Sequence, residues 1–381
     1  MYNVTLLNSS EARNAFRSFA TRFSGIAACA VLFAGMTLPR QAAAQNILPF
    51  PAPQATTVPS NGDVNPYGVV FVPNSVRTDG LLQPGSILVS NFNNNLNLQG
   101  TGRTIVQISP QGKTSLFFTS TGPGQQGLSA ALGILSNGIV IAGYLPSTDG
   151  TSNTATAGGL LFIDRHGVLL GTITNNNTFD GPWGMAMFDR GNGAALVFVS
   201  NVLNGTVTRF EVTYNNSGEQ ANVTQVVTIG SGFMHSGDPA AFEVGNSGLA
   251  YDAMRDILYV DSEVDSAIYA IQHAAELTGS GGTGVQFVQD ATHLHGPLDI
   301  AIAPNGHFLV ANSDGRNADP NQPSELVEYS AAGKFLSQFS IDPNNGGAFG
   351  VAIQNLGNGF IRVAAVNDNQ VVLNMYTTMV R

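Results

Sequence analysis

Residues 296–312 read GPLDIAIAPNGHFLVAN, and this stretch decides the fold because the chain carries six copies of its pattern. Each copy starts with a small residue, usually glycine, followed by a β-rich run that ends in Asn or another small polar residue. A second β-rich run and a turn containing glycine complete the pattern. Self-similarity of this length indicates repeated supersecondary units that bury their apolar faces only against neighbouring units.

The spacing of the copies is typical of propeller blades. One residue anchors each copy: Gly68, Gly133, Gly184, Gly248, Asp299 and Gly350. These anchors lie 51 to 65 residues apart, which matches a four-stranded blade with its loops. The sequence therefore predicts an all-β chain in which residues 63–381 form a six-bladed β-propeller of four-stranded antiparallel blades.

The third and fourth strands of each unit follow from short aliphatic runs separated by glycine turns. In the first unit we expect strands at Thr104–Ser109 and Thr114–Thr119, and in the fifth at Leu326–Ser330 and Phe335–Ser340. Helical periodicity is limited to one candidate of about two turns, Ile271–Leu277.

The sixth unit is too short to supply its own outer strand, because only five residues follow Val371–Tyr376. A ring closes only if that blade is completed, since an open sheet edge is otherwise left. Within the N-terminal segment 45–62, Gln54–Pro59 can supply the outer strand, and its prolines suit an outermost edge. We therefore expect the N-terminal segment to close the last blade.

Residues 1–44 have the pattern of a secretory signal peptide. Three arginines precede an apolar stretch, Phe23–Leu38, and the small residues Ala42–Ala44 suit a cleavage site. The alternative is a membrane anchor, although the apolar stretch is shorter than the roughly 20 residues of a spanning helix. The sequence predicts a secreted or periplasmic protein without membrane insertion after cleavage. The only cysteine, Cys29, lies in this segment, so no disulfide is expected in the mature chain.

Charge is sparse and acidic. Only 10% of the residues are charged, against a usual share of about 25%. Because residues 1–44 carry +3, the remaining chain has a formal net charge of −13 against a total of −10. Such a chain has no electrostatic footprint for nucleic acid or anionic membranes. Neutral or cationic ligands suit it better.

The fifth unit resembles the NHL repeat and the propellers of the gluconolactonase/SMP-30-like superfamily. The matching residues are Pro297, Ile300-Ala301, Pro304-Asn305-Gly306 and Phe308–Asn312, and weaker matches cover all six units. The resemblance implies the propeller fold, while its members include lactonases, lyases and binding proteins. The lactonase-like enzymes hold a divalent metal in the central channel, and Asn201 and Asn312 occupy repeat positions where such ligands can occur.

A first candidate site lies in the loops that lead into units four and five. It contains His235, Asp238, Glu243, His293 and His295. Three histidines in adjacent loops can ligate Zn²⁺ or another divalent ion, and the resemblance to lyase-type NHL propellers implies one such ligand per blade. In an extended segment His293 and His295 would face one side. The alternative is solvated histidines that hydrogen-bond to backbone.

A second candidate site is the acidic end of a strand in unit four, formed by Asp261, Glu263 and Asp265. In an extended strand these carboxylates share one face, where they can bind Ca²⁺ or act as an acid/base pair. A third candidate is the polar stretch 312–319, which resembles a calcium loop without EF-hand spacing. The alternatives are an acidic hairpin end in water and a polar turn.

Two further features have both a structural and a functional interpretation. An asparagine ends the second strand of four units, either to satisfy backbone groups locally or to line the channel: Asn91, Asn201, Asn312 and Asn367. The single tryptophan, Trp183, either packs between blades or offers a stacking surface to a ligand.

Together these features favour an exported propeller that binds a small-molecule or protein ligand. The alternative is a metal-dependent hydrolase or lyase of the lactonase/streptogramin-lyase type, with Glu243 or Glu263 as the base. Its divalent metal, Ca²⁺, Zn²⁺ or Mn²⁺, would take ligands from this set: His235, His293, His295, Asn201, Asn312 and Asp261. A structural role in the cell envelope is a third possibility.

Overall fold

The computed structural model describes Ile47 and residues 54–174, 178–312 and 321–380. It contains six four-stranded antiparallel sheets, or blades, one for each sequence unit. Blades one to three consist, from the inner to the outer strand, of β2 (Val64–Phe71), β3 (Ile87–Asn93), β4 (Thr104–Ile108) and β5 (Thr114–Thr119); β6 (Leu128–Ile134), β7 (Val140–Tyr144), β8 (Gly159–Ile163) and β9 (Leu169–Ile173); and β10 (Pro182–Asp189), β11 (Ala194–Asn201), β12 (Thr206–Tyr214) and β13 (Ala221–Ser231).

Blades four to six follow the same order. They consist of β16 (Asn246–Asp252), β17 (Ile257–Ser262), β18 (Ala267–Gln272) and β19 (Val285–Gln289); β20 (Pro297–Ile302), β21 (Phe308–Asn312), β22 (Glu325–Tyr329) and β23 (Phe335–Ser340); and β24 (Ala348–Gly357), β25 (Phe360–Asn367), β26 (Val372–Met379) and β1 (Gln54–Thr56). A small hairpin, β14 (Ser236–Asp238) and β15 (Phe242–Val244), lies between blades three and four in the chain. The only helical turn of the described residues is 3₁₀, Ser152–Thr154.

The ring is closed as predicted. Each inner strand packs beside the inner strand of the next blade, and β24 packs beside β2. Strand β1 completes blade six by pairing antiparallel with β26, with Ala55 opposite Leu373. The main-chain N–H of Thr57 continues this pairing by donating to the carbonyl of Val371 at 3.1 Å. Strand donation from the N-terminal segment is thereby confirmed.

The hydrophobic core lies mainly between successive blades. Five buried clusters each combine strands of two adjacent blades, and a sixth joins the interface of blades six and one to the ring axis. Strands such as β3 and β8 are buried along their whole length because both of their faces contact a neighbouring sheet. This pattern is the one expected for radially packed blades.

Two local predictions were wrong. Residues 271–277 are not helical, because β18 runs to Gln272 and a turn follows that Asp256 holds through its carbonyl and carboxylate. The acidic strand end is not extended through Asp265, because β17 stops at Ser262 and a turn begins. The predicted signal peptide, residues 1–44, lies outside the described residues. No helix in the described part of the chain is long and apolar enough to cross a membrane.

Candidate active site in the central channel

A cavity of about 230 Å³ lies on the axis of the ring. All six inner strands line it, mostly with aliphatic and thioether side chains such as Leu132 and Met187. Two carboxylates, Asp189 and Asp299, are the acidic groups in its wall. We call the face where the inner strands begin the upper face and the opposite one the lower face.

A bulge interrupts every inner strand at one equivalent position, next to the following blade. Register places these residues there: Gly68, Ala131, Gly184, Gly248, Asp299 and Gly350. The predicted anchor Gly133 of blade two was wrong, because Leu132 pairs with Ala142 after a longer bulge and shifts the position to Ala131. Five of the six positions therefore carry glycine or alanine, and Asp299 is the exception.

Close packing explains the small residues. In blade one, the hydroxyl of Ser90 accepts the N–H of Gly68 at 2.9 Å and donates to a carbonyl of blade two, that of Ser129, at 2.8 Å. In blade three, Ser200 bonds Gly184 in the same way and donates to blade four. Each serine hydroxyl thus ties its own inner strand to the next blade.

Blades four and five replace this arrangement with two carboxyl groups. Asp261 occupies the position that Ser90 and Ser200 hold in other blades. A Cβ added to Gly248 would lie 2.9 Å from Oδ2 of Asp261 and 2.5 Å from Cα of Asp299, so the two aspartates approach each other beside this glycine. Neither carboxyl oxygen of Asp261 has a hydrogen-bond partner among the described residues. Asp299 accepts the N–H of Val351 at 2.8 Å, which links blade five to blade six.

The surroundings favour the protonated form of both aspartates. Burial, reinforced by the negative charge of Asp299, raises the pKa of Asp261 well above its ordinary value. Burial also raises the pKa of Asp299 to about 7, although hydrogen bonds from Val351 and Ile300 oppose the shift. Asp299 retains some accessible surface because it faces the cavity, whereas Asp261 is fully buried.

Asp189 behaves differently at the other acidic position of the cavity. Its carboxylate accepts the N–H of Ser136 at 2.6 Å and the hydroxyl of Tyr214. Burial alone would raise its pKa, but these hydrogen bonds outweigh burial and lower it. One cavity therefore holds two carboxyl groups whose pKa values are pushed apart, which is a signature of acid–base sites.

Aromatic side chains close the channel above the cavity. Their rings are joined by centroid distances of 4.8 to 5.4 Å, and we call this set the aromatic cap: Tyr67, Phe92, Trp183, Phe242 and Phe349. Trp183 is fully buried, so it packs in the core rather than offering an open stacking surface. Phe242 comes from the β14–β15 hairpin, which the sequence did not predict.

The asparagines that end the second strands hold loops in place. The amide of Asn201 donates to Thr206 and Thr208 at 3.0 Å, and its oxygen accepts the N–H of Asp180 at 3.3 Å. Asn312 accepts the N–H of His295 at 3.1 Å and donates to Glu325 at 2.7 Å. Asn91 and Asn367 likewise donate to nearby carbonyls and side chains of their own surroundings.

The three candidate histidines have separate surroundings. His235 is exposed and lies near Asp180. Burial raises the pKa of Asp180, and the charge of His235 opposes that shift. The Nδ1 atom of His293 lies 2.8 Å from Oδ2 of Asp290. Its ring stacks on that of Phe335 with 3.6 Å between the ring centroids.

His295 is in a different environment, and its Nδ1 lies 3.7 Å from Glu325. Residues 291–296 form a turn and are not extended, so the predicted alternation of His293 and His295 does not apply. Within the described chain, no triplet of His and carboxylate ligand atoms within 4.8 Å includes any of these three histidines.

The two candidate catalytic glutamates also lie away from the cavity wall. Glu243 is buried in β15, and burial with the nearby charge of Asp238 raises its pKa to about 7. Glu263 is buried in the turn after β17, where its N–H donates to the carbonyl of Gly245 at 2.9 Å. Residues 313–319 of the predicted calcium loop lie outside the described residues.

Asp299 is the site residue that the sequence interpretation did not select. Its signal was visible, because an acidic residue stands where the repeat otherwise has a small one. Departures from a repeat that break a local packing rule are expected at functional positions.

The comparisons with known proteins bear on the fold. No protein-family model matches the sequence, and no curated protein matches it. Among solved structures, the chain is similar to regucalcin, a calcium-binding protein of Agrobacterium tumefaciens, with a TM-score of 0.51 and 13% identity over 86% of this chain and 94% of that one.

Two further solved structures align at comparable coverage. A gluconolactonase of Xanthomonas campestris gives a TM-score of 0.48 and 11% identity over 87% of this chain and 99% of that one. An α-L-arabinofuranosidase of Fusarium graminearum gives a TM-score of 0.48 and 10% identity over 86% of this chain and 97% of that one. The class is thus a six-bladed β-propeller, and the predicted likeness to the regucalcin-type propellers is confirmed for the fold.

Proposed function

We propose that this protein is a hydrolase of small lactones or esters that acts in the axial cavity. The observation that carries this proposal is Asp299, a carboxyl group with a pKa of about 7 in the wall of a cavity whose other side chains are mostly aliphatic or thioether. A general base works best when its pKa lies near the operating pH. Asp261, buried behind it, is a positioning residue that keeps a proton and so leaves Asp299 as the group that ionises.

The proposed step is hydrolysis with Asp299 as general base. Ionised Asp299 takes a proton from a water molecule while the water oxygen bonds to the carbonyl carbon of the substrate. The carbon–oxygen single bond of the lactone or ester then breaks, and the proton held by Asp299 passes to the departing oxygen. Atoms and charge balance without an oxidant or a reductant.

The size and lining of the cavity limit the substrate. An apolar cavity of about 150 Å³ accommodates benzene. A cavity of about 230 Å³ therefore suits a five- or six-membered ring with small substituents. Its lining includes two carboxyl groups, Asp189 and Asp299, which can accept hydrogen bonds from hydroxyl groups of a substrate.

A channel metal of the lactonase type fits these residues poorly. The side-chain oxygens of Asn201 and Asn312 already accept the N–H groups of Asp180 and His295, and the described residues offer no third His or carboxylate ligand near Asp261 and Asp299. Divalent cations held by oxygen usually take six or more ligands. Burial is the largest cause of both raised pKa values, so they do not require a bound cation as an explanation.

Binding without catalysis is the second candidate function. The aromatic cap and the cavity below it favour it, because small-molecule sites are usually concave spaces with hydrophobic side chains and a few polar groups. We also propose export to the periplasm or the medium, on the support of the signal-like residues 1–44. The acidic charge of the remaining chain supports a partner other than nucleic acid.

Hydrolysis of a lactone panel tests the proposal. Protein starting at Gln45 is assayed with γ-butyrolactone, δ-valerolactone and phenyl acetate, with and without EDTA. We expect hydrolysis that resists EDTA and falls about 100-fold or more in Asp299→Asn. Equal activity in Asp299→Asn would contradict the proposed base. Thermal stabilisation by these compounds without turnover would favour the binding function.

A further inference from the structure

A second constellation of chemically active side chains lies at the lower edge of blade four. Asp256 ends the turn between β16 and β17, and His273 and Glu276 lie in the loop after β18. One ligand atom from each of these three residues lies within 4.8 Å of the other two. Asp256 is half-buried, whereas His273 and Glu276 are exposed.

We propose that Asp256, His273 and Glu276 form a divalent metal site with a preference for Zn²⁺. One imidazole nitrogen and two carboxylate oxygens are a ligand set that Zn²⁺ accepts, with solvent completing the tetrahedron. None of the three residues lines the axial cavity, so the site is independent of the proposed hydrolase function.

Neighbouring groups hold the carboxylate of Asp256 as they hold metal ligands in other proteins. The hydroxyl of Tyr251 and the N–H of Ala275 both donate to its Oδ1 at 2.8 Å. These two hydrogen bonds fix the orientation of the carboxyl group. Such outer hydrogen bonds fix the direction of a ligating side chain and tune its affinity for metal.

The loop that carries the other two ligands is also anchored. Buried Arg209 donates to the carbonyls of Ala274 and Ala275, which lie between His273 and Glu276. The N–H of Glu276 donates to the carbonyl of His273 at 2.9 Å. A rigid backbone reduces the conformational entropy that metal binding would otherwise cost.

Local charge combines the two carboxylates of the triad with one buried cation, Arg209, whose guanidinium donates to the loop carbonyls. The one nearby arginine on the same turn, Arg255, pairs with Asp252 at 3.2 Å. The triad itself contributes two carboxylates, so a bound divalent ion is neutralised locally.

Calorimetric titration of ZnCl₂ into tag-free protein starting at Gln45 tests the site. We expect one equivalent of Zn²⁺ to bind, and Kd to rise at least tenfold in both His273→Ala and Glu276→Gln. His166→Ala, which removes an exposed histidine from a turn of blade two, and Asp299→Asn should both retain wild-type affinity. Unchanged affinity in His273→Ala would overturn the proposal, as would the absence of binding by wild-type protein.

Substitution of Co²⁺ provides a readout that does not depend on stability. A tetrahedral site with a histidine ligand should give visible absorption that His273→Ala abolishes and His166→Ala preserves. A spectrum of octahedral aqueous Co²⁺ from wild-type protein would contradict the site. Loss of metal binding in His273→Ala with normal lactone hydrolysis would separate this inference from the proposed function.

Discussion

Asp261 and Asp299 come from neighbouring blades and approach each other beside Gly248, where a Cβ would lie 2.9 Å from Oδ2 of the first and 2.5 Å from Cα of the second. No other pair of blades places two carboxyls at these repeat positions. Burial raises the pKa of both carboxyl groups, and the negative charge of Asp299 adds to the effect at Asp261. The repeat is thus broken in two adjacent places at the wall of the axial cavity.

Gly248→Ala should destabilise the protein. The added methyl meets the backbone of blade five, which cannot move aside as a flexible side chain can, and overpacking of this kind costs about 1–3 kcal/mol. Urea unfolding measures the change. Gly171→Ala is the matched control, because a Cβ there meets nothing within 4 Å. Equal stability of the two variants would contradict the close approach at Gly248.

The stability of the protein should fall as pH rises from about 4 to about 7. In this window unfolded Asp299 is ionised, given its ordinary pKa of 3.8, while the folded state retains the proton up to about 7. The folded state therefore binds more protons, and each such group contributes a slope of roughly −1.4 kcal/mol per pH unit to the free energy of unfolding. Asp299→Asn should make this slope less negative by the contribution of one group, about 1.4 kcal/mol per pH unit. Urea unfolding at several pH values measures the slope.

Asp79→Asn provides a control of opposite sign. Hydrogen bonding and charge from Arg165 lower the pKa of Asp79 to about 2, so its stabilising effect is present above pH 4 and is lost as pH falls towards 2. Its substitution should leave the slope between pH 4 and 7 intact. A wild-type slope near zero in that window would show that the aspartates ionise normally.

Removal of the closing strand should open the ring. Protein that starts at residue 58 lacks β1, which leaves the edge of β26 unpaired and exposes the core residues that Ala55 covers. We expect a melting temperature lower by roughly 5 °C or more in differential scanning calorimetry. A synthetic peptide of residues 45–58 should restore part of the loss. An unchanged melting temperature would mean that β1 does not contribute to closure.

The aromatic cap can be followed through the single tryptophan. Trp183 is fully buried and contacts Tyr67 and Phe92 edge-on, so its emission should be blue-shifted and poorly quenched by acrylamide. Phe242→Ala removes a ring that packs on Phe92 and should increase quenching. Phe360→Ala, at an exposed position, should not. Strong quenching in the wild type would contradict a closed cap.

Most of the fold is predictable because its determinants are local. Alternating aliphatic runs and glycine turns specify the strands, and the missing last strand of unit six indicates strand donation. Segment Thr114–Thr119 forms a strand with the predicted bounds. The predicted helix at Ile271–Leu277 failed because Asp256, which is distant in sequence, holds that segment as a turn.

The site is less predictable because it depends on contacts between blades. The composition around Asp299 does not indicate that its pKa is raised, since the burial that raises it comes from the closed ring. Histidines such as His293 stand out in sequence, yet its nitrogen is taken up by Asp290. Residue type alone therefore identified candidates, and three-dimensional packing selected among them.

Titration of the aspartate carboxyls by ¹³C NMR tests the central claim most directly. Protein labelled only at aspartate avoids overlap with Glu243, whose pKa is also raised to about 7. The account predicts an aspartate signal with a midpoint near 7 that is missing from Asp299→Asn. If every titrating aspartate of the wild type had a midpoint below 5, Asp299 would be an ordinary carboxylate and the proposed base would be wrong.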